Sequence, residues 1–200
     1  MKKLVYLISP NKIDNKFYTT LDRVLAFKNV KFFQLRLKNT KVNYILKIAN
    51  KIKKITKKHK VNFIINDNYI LALKVNADGC HLGQLDGPIM IARKKLKNKI
   101  LGVTCHGSKS LAKNAINNKA DYIAFGSFFK SRLKPNTKKA NLKILKWAKK
   151  EFTKPIVVIG GINNFNYRKL IKAGAKYIAI SSYIWDNPKL KPEFAIKKFK

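Results

Sequence analysis

Short aliphatic and β-branched runs alternate along the chain with stretches of helical spacing, at intervals of very roughly 25 residues. The runs at 4–8, 31–36, 61–65, 79–82, 100–103, 122–125, 156–159 and 177–180 predict eight strands. Between them, apolar residues recur at helical spacing over 42–57, 89–96, 111–117, 142–150 and 167–173. The order is therefore strand, helix, strand, helix. A second regularity supports it: Lys119-Ala-Asp-Tyr-Ile-Ala-Phe125 and Gly174-Ala-Lys-Tyr-Ile-Ala-Ile180 share Ala-x-Tyr-Ile-Ala where a helix hands over to a strand, and Asn76-Ala-Asp-Gly-Cys80 is a weaker copy.

Eight such units admit a closed (β/α)8 barrel (TIM barrel) or an open doubly wound sheet. No G-x-G-x-x-G follows the first strand, and eight strands at this economy suit closure. The sequence thus predicts one α/β domain over 1–200, a small barrel with short loops. A barrel carries its chemistry at the C-terminal strand ends. Polar or small residues mark these ends: Gln34, Arg36 and Lys38; Asn66 and Asp67; His81, Gln84 and Asp86; Thr104 and His106; Gly126 and Ser127; Gly160 and Gly161; Ser181 and Ser182.

Residues two apart in a strand share a face. Gln34, Arg36 and Lys38 are thereby predicted to face the lumen, with Phe33, Leu35 and Leu37 outward against helices. Inward cations require an anion or a carboxylate. Two other readings stay open, that Arg36 and Lys38 pair with Asp67 or Asp86, or that Lys38 has already left the strand. The aspartates also have two readings. Asp67 can cap a helix beginning near Tyr69 and Asp86 one opened by Pro88. As a pair on neighbouring strand ends they suit oxygen ligation of Mg²⁺ bridging to a diphosphate. Gly160-Gly161 and Ser181-Ser182 suggest a second anion site built from backbone N–H groups, against a plain turn capped by Asn163 or Asn164. Cys80-His81 and Cys105-His106 do not read as a zinc site, because adjacent strand residues face opposite sides. His106 is a candidate for binding substrate, and His59 is expected to be exposed.

Composition narrows the class. Of 200 residues 46% are hydrophobic, too many for a disordered basic tail, and no apolar run approaches the roughly 20 residues of a membrane span. Lys and Arg number 45 against nine Asp and Glu, a formal net charge of +36. Forty Lys accompany 20 Asn and 23 Ile, a joint enrichment that points to compositional bias rather than to a nucleic-acid face. Two cysteines cannot build a disulfide scaffold and fit a reducing compartment. The expectation is a soluble cytoplasmic protein with small-molecule partners, engaging neither membrane nor nucleic acid. A basic RNA-binding or scaffold protein is the reading of another class, and no ribonucleoprotein motif supports it.

Six segments together carry a family resemblance: Gln34-Leu-Arg-Leu-Lys38, Asn66-Asp67, His81-Leu-Gly-Gln-Leu-Asp86, Gly102-Val-Thr-Cys-His106, Asp121-Tyr-Ile-Ala-Phe-Gly126 and Ile159-Gly-Gly-Ile162. Over nearly its whole length the chain resembles the thiamine phosphate synthases, a family related to the thiazole tautomerases. The resemblance implies a barrel transferase that joins 4-amino-2-methyl-5-hydroxymethylpyrimidine diphosphate to 4-methyl-5-(2-phosphoethyl)thiazole with Mg²⁺, releasing diphosphate in thiamine biosynthesis. It assigns Gln34, Arg36 and Lys38 to the pyrimidine diphosphate, Asn66 to the pyrimidine substrate, and Asp67 and Asp86 to the metal. Gly161, Ser181 and Ser182 go to the thiazole phosphate. Thr104 stands where the family usually has Ser, and Ser131 and Lys134 lie in the loop after the sixth strand. Arg36, Lys38 and Lys134 are the groups expected to offset charge on the leaving diphosphate. Leu133 replaces one of two usual threonines, Asn68 a common Arg, and Asn141 a usual Gly. A tautomerase-like isomerase of thiazole phosphate is the alternative, against which the diphosphate-type residues speak.

Overall fold

The structure is a computed structural model that describes residues 3–129 and 140–200. Eight parallel strands close on themselves in chain order: β1 (Val5–Ile8), β2 (Val30–Leu35), β3 (Asn62–Asn66), β4 (Gly79–Leu82), β5 (Ile100–His106), β6 (Tyr122–Phe125), β7 (Ile156–Ile159) and β8 (Tyr177–Ile180), with β8 pairing β1. Around them run α1 (Asn15–Leu25), α2 (Val42–Lys58), α3 (Tyr69–Lys74), α4 (Ile89–Leu96), α5 (Lys109–Asn117), α6 (Leu142–Glu151), α7 (Tyr167–Lys172), α8 (Ser182–Trp185) and α9 (Pro192–Ile196). All eight predicted strands are present. The predicted barrel is thus the observed one. Among the described residues no helix is long and apolar enough to cross a membrane.

Strand pleating sorts the apolar residues into two cores. Tyr6, Ile8, Phe32, Ile64, Tyr122, Ala124, Val157, Tyr177 and Ala179 fill the barrel. Their alternating neighbours, among them Leu7, Phe33, Ile65, Phe125, Val158 and Ile178, point outward under the helices. The helices meet them with matching stripes. In α1 the buried set is Phe17, Leu21, Val24 and Leu25, and the Asp14 side chain caps the helix by accepting from Phe17 N–H at 2.8 Å.

The repeated Ala-x unit has a single structural job. Ala77, Ala120 and Ala175 are buried, and each returns its N–H to the end of the preceding helix, at Ala72, Ala115 and Leu170. The following residue, Asp78, Asp121 or Lys176, then donates its N–H to Phe63, Leu101 or Ile156 on the neighbouring strand. In two copies the side chain adds a second bond: Asp78 accepts from Phe63 N–H at 2.7 Å, and Asp121 from Leu101 N–H at 2.8 Å. The unit stitches each new strand to its neighbour at the N-terminal end of the barrel, leaving the opposite end for chemistry. His59 corrects the sequence reading: its side chain is largely covered, and Nε2 lies 2.8 Å from Asp22 Oδ1.

Candidate active site

The predicted alternation in the second strand holds as far as the strand does. Phe32 and Gln34 face the barrel interior, Phe33 and Leu35 the outer core. The strand ends at Leu35, so Arg36 sits just past it, its N–H donated to Ser9 Oγ at 3.0 Å. Lys38 corrects the inward reading. It lies beyond the strand, 54% exposed at its side chain, with Nζ 2.7 Å from Asp67 Oδ2.

Neither aspartate caps a helix through its side chain. Asn68, not Asp67, accepts from Leu71 N–H at the start of α3, and Pro88, not Asp86, holds the N-cap position of α4, with no side-chain cap bond. Asp67 instead adopts a left-handed backbone, φ +64°, with its N–H donated to His81 O at 2.8 Å. That turn is uncommon for a residue with a side chain and is concentrated at functional sites. Asp86 Oδ2 accepts from Gly83 N–H at 2.6 Å. The two carboxyl groups lie close enough for each to shift the other's titration. Burial pushes Asp67 up, yet the Lys38 ammonium, the neighbouring Asp86 carboxyl and the Arg36 charge outweigh it and hold Asp67 below the ordinary carboxylate range. Burial and the Asp67 charge push Asp86 upward, against the Gly83 N–H. Two carboxylates with pKa values driven apart mark a concentrated anionic site.

Below the mouth runs a buried chain of polar side chains. Gln34 Nε2 donates to Tyr6 Oη at 2.9 Å, Tyr6 Oη lies 2.7 Å from Tyr122 Oη, and Tyr122 Oη lies 2.9 Å from His81 Nδ1. His81 Nε2 is then 2.8 Å from Thr104 Oγ1, and the backbone oxygen of Thr104 accepts from the Gln84 amide. Gln34 and Thr104 were legible as candidates, whereas Tyr6 and Tyr122 were not. Burial lowers the His81 pKa to about 4, with Arg36 adding to the effect and Asp67 opposing it. The unfolded chain takes up that proton near its ordinary value of about 6.5, so stability should decline as pH falls from about 6.5 toward the folded value. We expect the melting temperature to drop between about pH 6.5 and about pH 5, and His81→Gln to flatten that segment of the curve.

The other predicted residues divide. Asn66 ends β3 in register with His81, two residues past the interior Ile64, and so belongs to the mouth. His106 is exposed at the rim beyond a bulge in β5, φ +51°, its carbonyl accepting from Gly126 N–H. Gly160, φ +106°, has a packing reason, since a Cβ there would stand 2.1 Å from Ser127 Oγ. Gly161, φ +60°, follows it. Asn163 Oδ1 caps the ensuing turn, accepting from Phe165 and Asn166 N–H. Ser181 Oγ donates to Ser9 O at 3.1 Å, and Ser182 opens α8 with an N–H that has no intrahelical partner. Ser131, Leu133 and Lys134 lie outside the described residues. Cys80 and Cys105 are buried outside the barrel, opposite His81, so no Cys-His cluster forms. A cavity of about 440 Å³ adjoins the mouth between the loops after β1 and β2, lined by Lys12, Asp14, Leu37, Thr40 and Tyr44 among others.

Comparison with known proteins decides the lineage. The sequence model of the thiamine monophosphate synthase family matches residues 5–184. The chain is 57% identical to a thiamine-phosphate synthase of Pelagibacter ubique, covering 100% of this chain and 97% of that one. This chain belongs to the thiamine monophosphate synthase family. The family's range here includes a thiamine-phosphate synthase of Erythrobacter litoralis, 39% identical over 90% of this chain and 87% of that protein. The solved thiamine phosphate pyrophosphorylase from Pyrococcus furiosus superposes with a TM-score of 0.87 at 26% identity, covering 98% of this chain and 93% of that one. As a member of a synthase family the chain is a transferase acting on small molecules.

Among the described residues no cluster of three His, Cys, Asp or Glu side chains could hold a metal ion. The two available carboxylates, Asp67 and Asp86, still fit Mg²⁺, which is commonly held by one or two carboxylates plus substrate phosphates. Their oxygen donors, close enough for each carboxyl to shift the other's titration, suit such a shared, hard cation.

Proposed function

We propose that the barrel mouth condenses 4-amino-2-methyl-5-hydroxymethylpyrimidine diphosphate with 4-methyl-5-(2-phosphoethyl)thiazole, giving thiamine monophosphate and diphosphate. The observation that carries this reading is the ion pair at the mouth, Lys38 Nζ 2.7 Å from Asp67 Oδ2, with the Arg36 charge acting on Asp67 and the Asp86 carboxyl close enough to shift it. Opposite charges so placed can grip a metal–diphosphate together. Asp67 and Asp86 would hold Mg²⁺, which offsets charge on the departing diphosphate when bound.

The chain's own residues supply the rest. Lys38, exchanging Asp67 for a diphosphate oxygen, and Arg36 meet charge as it develops on the leaving group. The bond between the hydroxymethyl carbon and the bridging oxygen breaks, and its electron pair leaves with diphosphate. The thiazole nitrogen lone pair then forms the new bond to that carbon. No side-chain nucleophile is required, so positioning dominates. Gln34, Asn66 and Thr104 orient the pyrimidine at the floor of the mouth. The backbone of Gly161 and the loop from Ser181 to Ser182 hold the thiazole phosphate. Lys134, with Ser131, is proposed for the diphosphate side.

A coupled assay for released diphosphate tests this. Release should require both substrates and divalent cation, and should cease on adding a chelator. Diphosphate release from the pyrimidine diphosphate alone at the same rate would refute the condensation, and full activity with chelator would refute the metal.

A further inference from the structure

The buried chain beneath the mouth does more than satisfy polar groups, because its hydrogen bonds can run in only two concerted directions. Each tyrosine hydroxyl has one proton to give, and a neutral imidazole donates from one nitrogen and accepts at the other. With Gln34 Nε2 donating to Tyr6 Oη, the Tyr6 proton goes to Tyr122, the Tyr122 proton to His81 Nδ1, and the His81 Nε2–H to Thr104 Oγ1. Gln34 then keeps its carbonyl oxygen as an acceptor, and Thr104 keeps a free hydroxyl proton as a donor. The opposite direction flips the Gln34 amide and exchanges both end roles. One end is always complementary to the other.

We propose that Tyr6, Tyr122 and His81 are positioning residues that lock Gln34 as acceptor and Thr104 as donor, and thereby select an amino-substituted pyrimidine over its oxo counterpart. An aminopyrimidine edge presents an N–H donor beside a ring-nitrogen acceptor, which matches the direction set by Gln34 Nε2 donating to Tyr6. The oxo analogue presents a carbonyl acceptor beside a ring N–H, which matches only the reverse. Reversal requires all four links to turn together, with the Gln34 amide rotating inside a buried site. Tyr6 and Tyr122 rings are fully buried and pack edge-on at 5.7 Å, and His81 stacks on Tyr122 at 5.6 Å, so the links cannot reorient by moving apart. A site built from fixed donors and acceptors rejects a mismatched analogue far better than an apolar pocket does. This inference rests on the reading of the mouth as a pyrimidine diphosphate site.

The test compares equilibrium binding of the 4-amino pyrimidine diphosphate and its 4-oxo analogue, so that differences in leaving-group chemistry do not enter. The intact protein should favour the amino compound by about 100-fold or more. In Tyr6→Phe, which removes the hydroxyl that makes both the first and the second link while keeping the ring, that ratio should shrink by about tenfold. Tyr122→Phe should do the same, and the double variant should lose no more selectivity than either alone, since one break frees both ends. A purely structural role would weaken both ligands equally and leave the ratio unchanged, which overturns the proposal. Equal binding of both ligands by the intact protein overturns it as well. Failure of the intact protein to bind either diphosphate, or to release diphosphate in the two-substrate assay, counts instead against the underlying functional reading. Near-ultraviolet circular dichroism of each variant verifies the fold, and either tyrosine variant suffices if the other unfolds.

Discussion

Replacing Asp67 by Asn is expected to reduce kcat/KM for diphosphate release by about 10²- to 10³-fold while leaving the protein folded. The substitution keeps the shape and removes the charge. Three consequences follow from its contacts. Lys38 loses its partner, but at 54% side-chain exposure it is solvated, so the stability cost stays below about 1 kcal/mol. Asp86 loses the neighbouring charge that raises it and ionises more readily. One carboxylate remains where two were available, with a neutral amide oxygen in place of the other, so a higher Mg²⁺ concentration should be needed for half-maximal rate. Asp78→Asn is the matched control, because that carboxylate is bonded to Phe63 N–H at the opposite end of the barrel. It should lower stability and spare kcat/KM in the folded fraction. Steady-state rates across a magnesium titration separate the cases, and an Asp67→Asn enzyme retaining a tenth or more of the activity would place the metal elsewhere.

The barrel was legible because eight short apolar runs, separated by helical spacing, leave few other arrangements. The mouth was legible because charged and polar residues at strand ends contrast with the apolar strands behind them. Other features had no such contrast. In four-residue strands such as Tyr122–Phe125, apolar on both faces, periodicity cannot say which residues enter the barrel. Nothing in the pattern therefore sets Tyr6 and Tyr122 apart from ordinary core, and the polar chain they complete emerges only from the fold. Lys38 failed for the opposite reason. The alternation Gln34-Leu-Arg-Leu-Lys38 continues past Leu35, where the strand stops, so a pattern of period two outlived its element. Helix ends were obscured by the composition itself. Lys28, Lys60, Lys97 and Lys119 hold positive φ where glycine normally signals termination, so the usual punctuation is missing. Asp67 belongs to the same group of left-handed residues, yet it alone among these five is tied to a candidate metal site.

Gly102→Ala is expected to destabilise the fold by about 3 kcal/mol, the upper part of the range for overpacking. Gly102 has no left-handed backbone to preserve, and alanine would by itself gain about 0.4–1 kcal/mol by restricting the unfolded chain. Space decides the sign. A Cβ on Gly102 would stand 1.9 Å from Tyr122 Cζ and 2.2 Å from its hydroxyl oxygen. The ring cannot retreat, because it is fully buried, stacked on His81 and bonded through Oη to both Tyr6 and His81. Any relaxation therefore breaks the polar chain as well as the packing. Tyr122→Phe should not rescue the variant, since the nearest clash is with the ring carbon rather than the hydroxyl. Tyr122→Leu removes that carbon, and the double variant should be less destabilised than the two single effects added. Urea unfolding of the four proteins supplies the cycle. A Gly102→Ala protein as stable as the parent would mean that the β5–β6 seam has slack, and the rigid seating of Tyr122, on which the selectivity of the mouth depends, would fall with it.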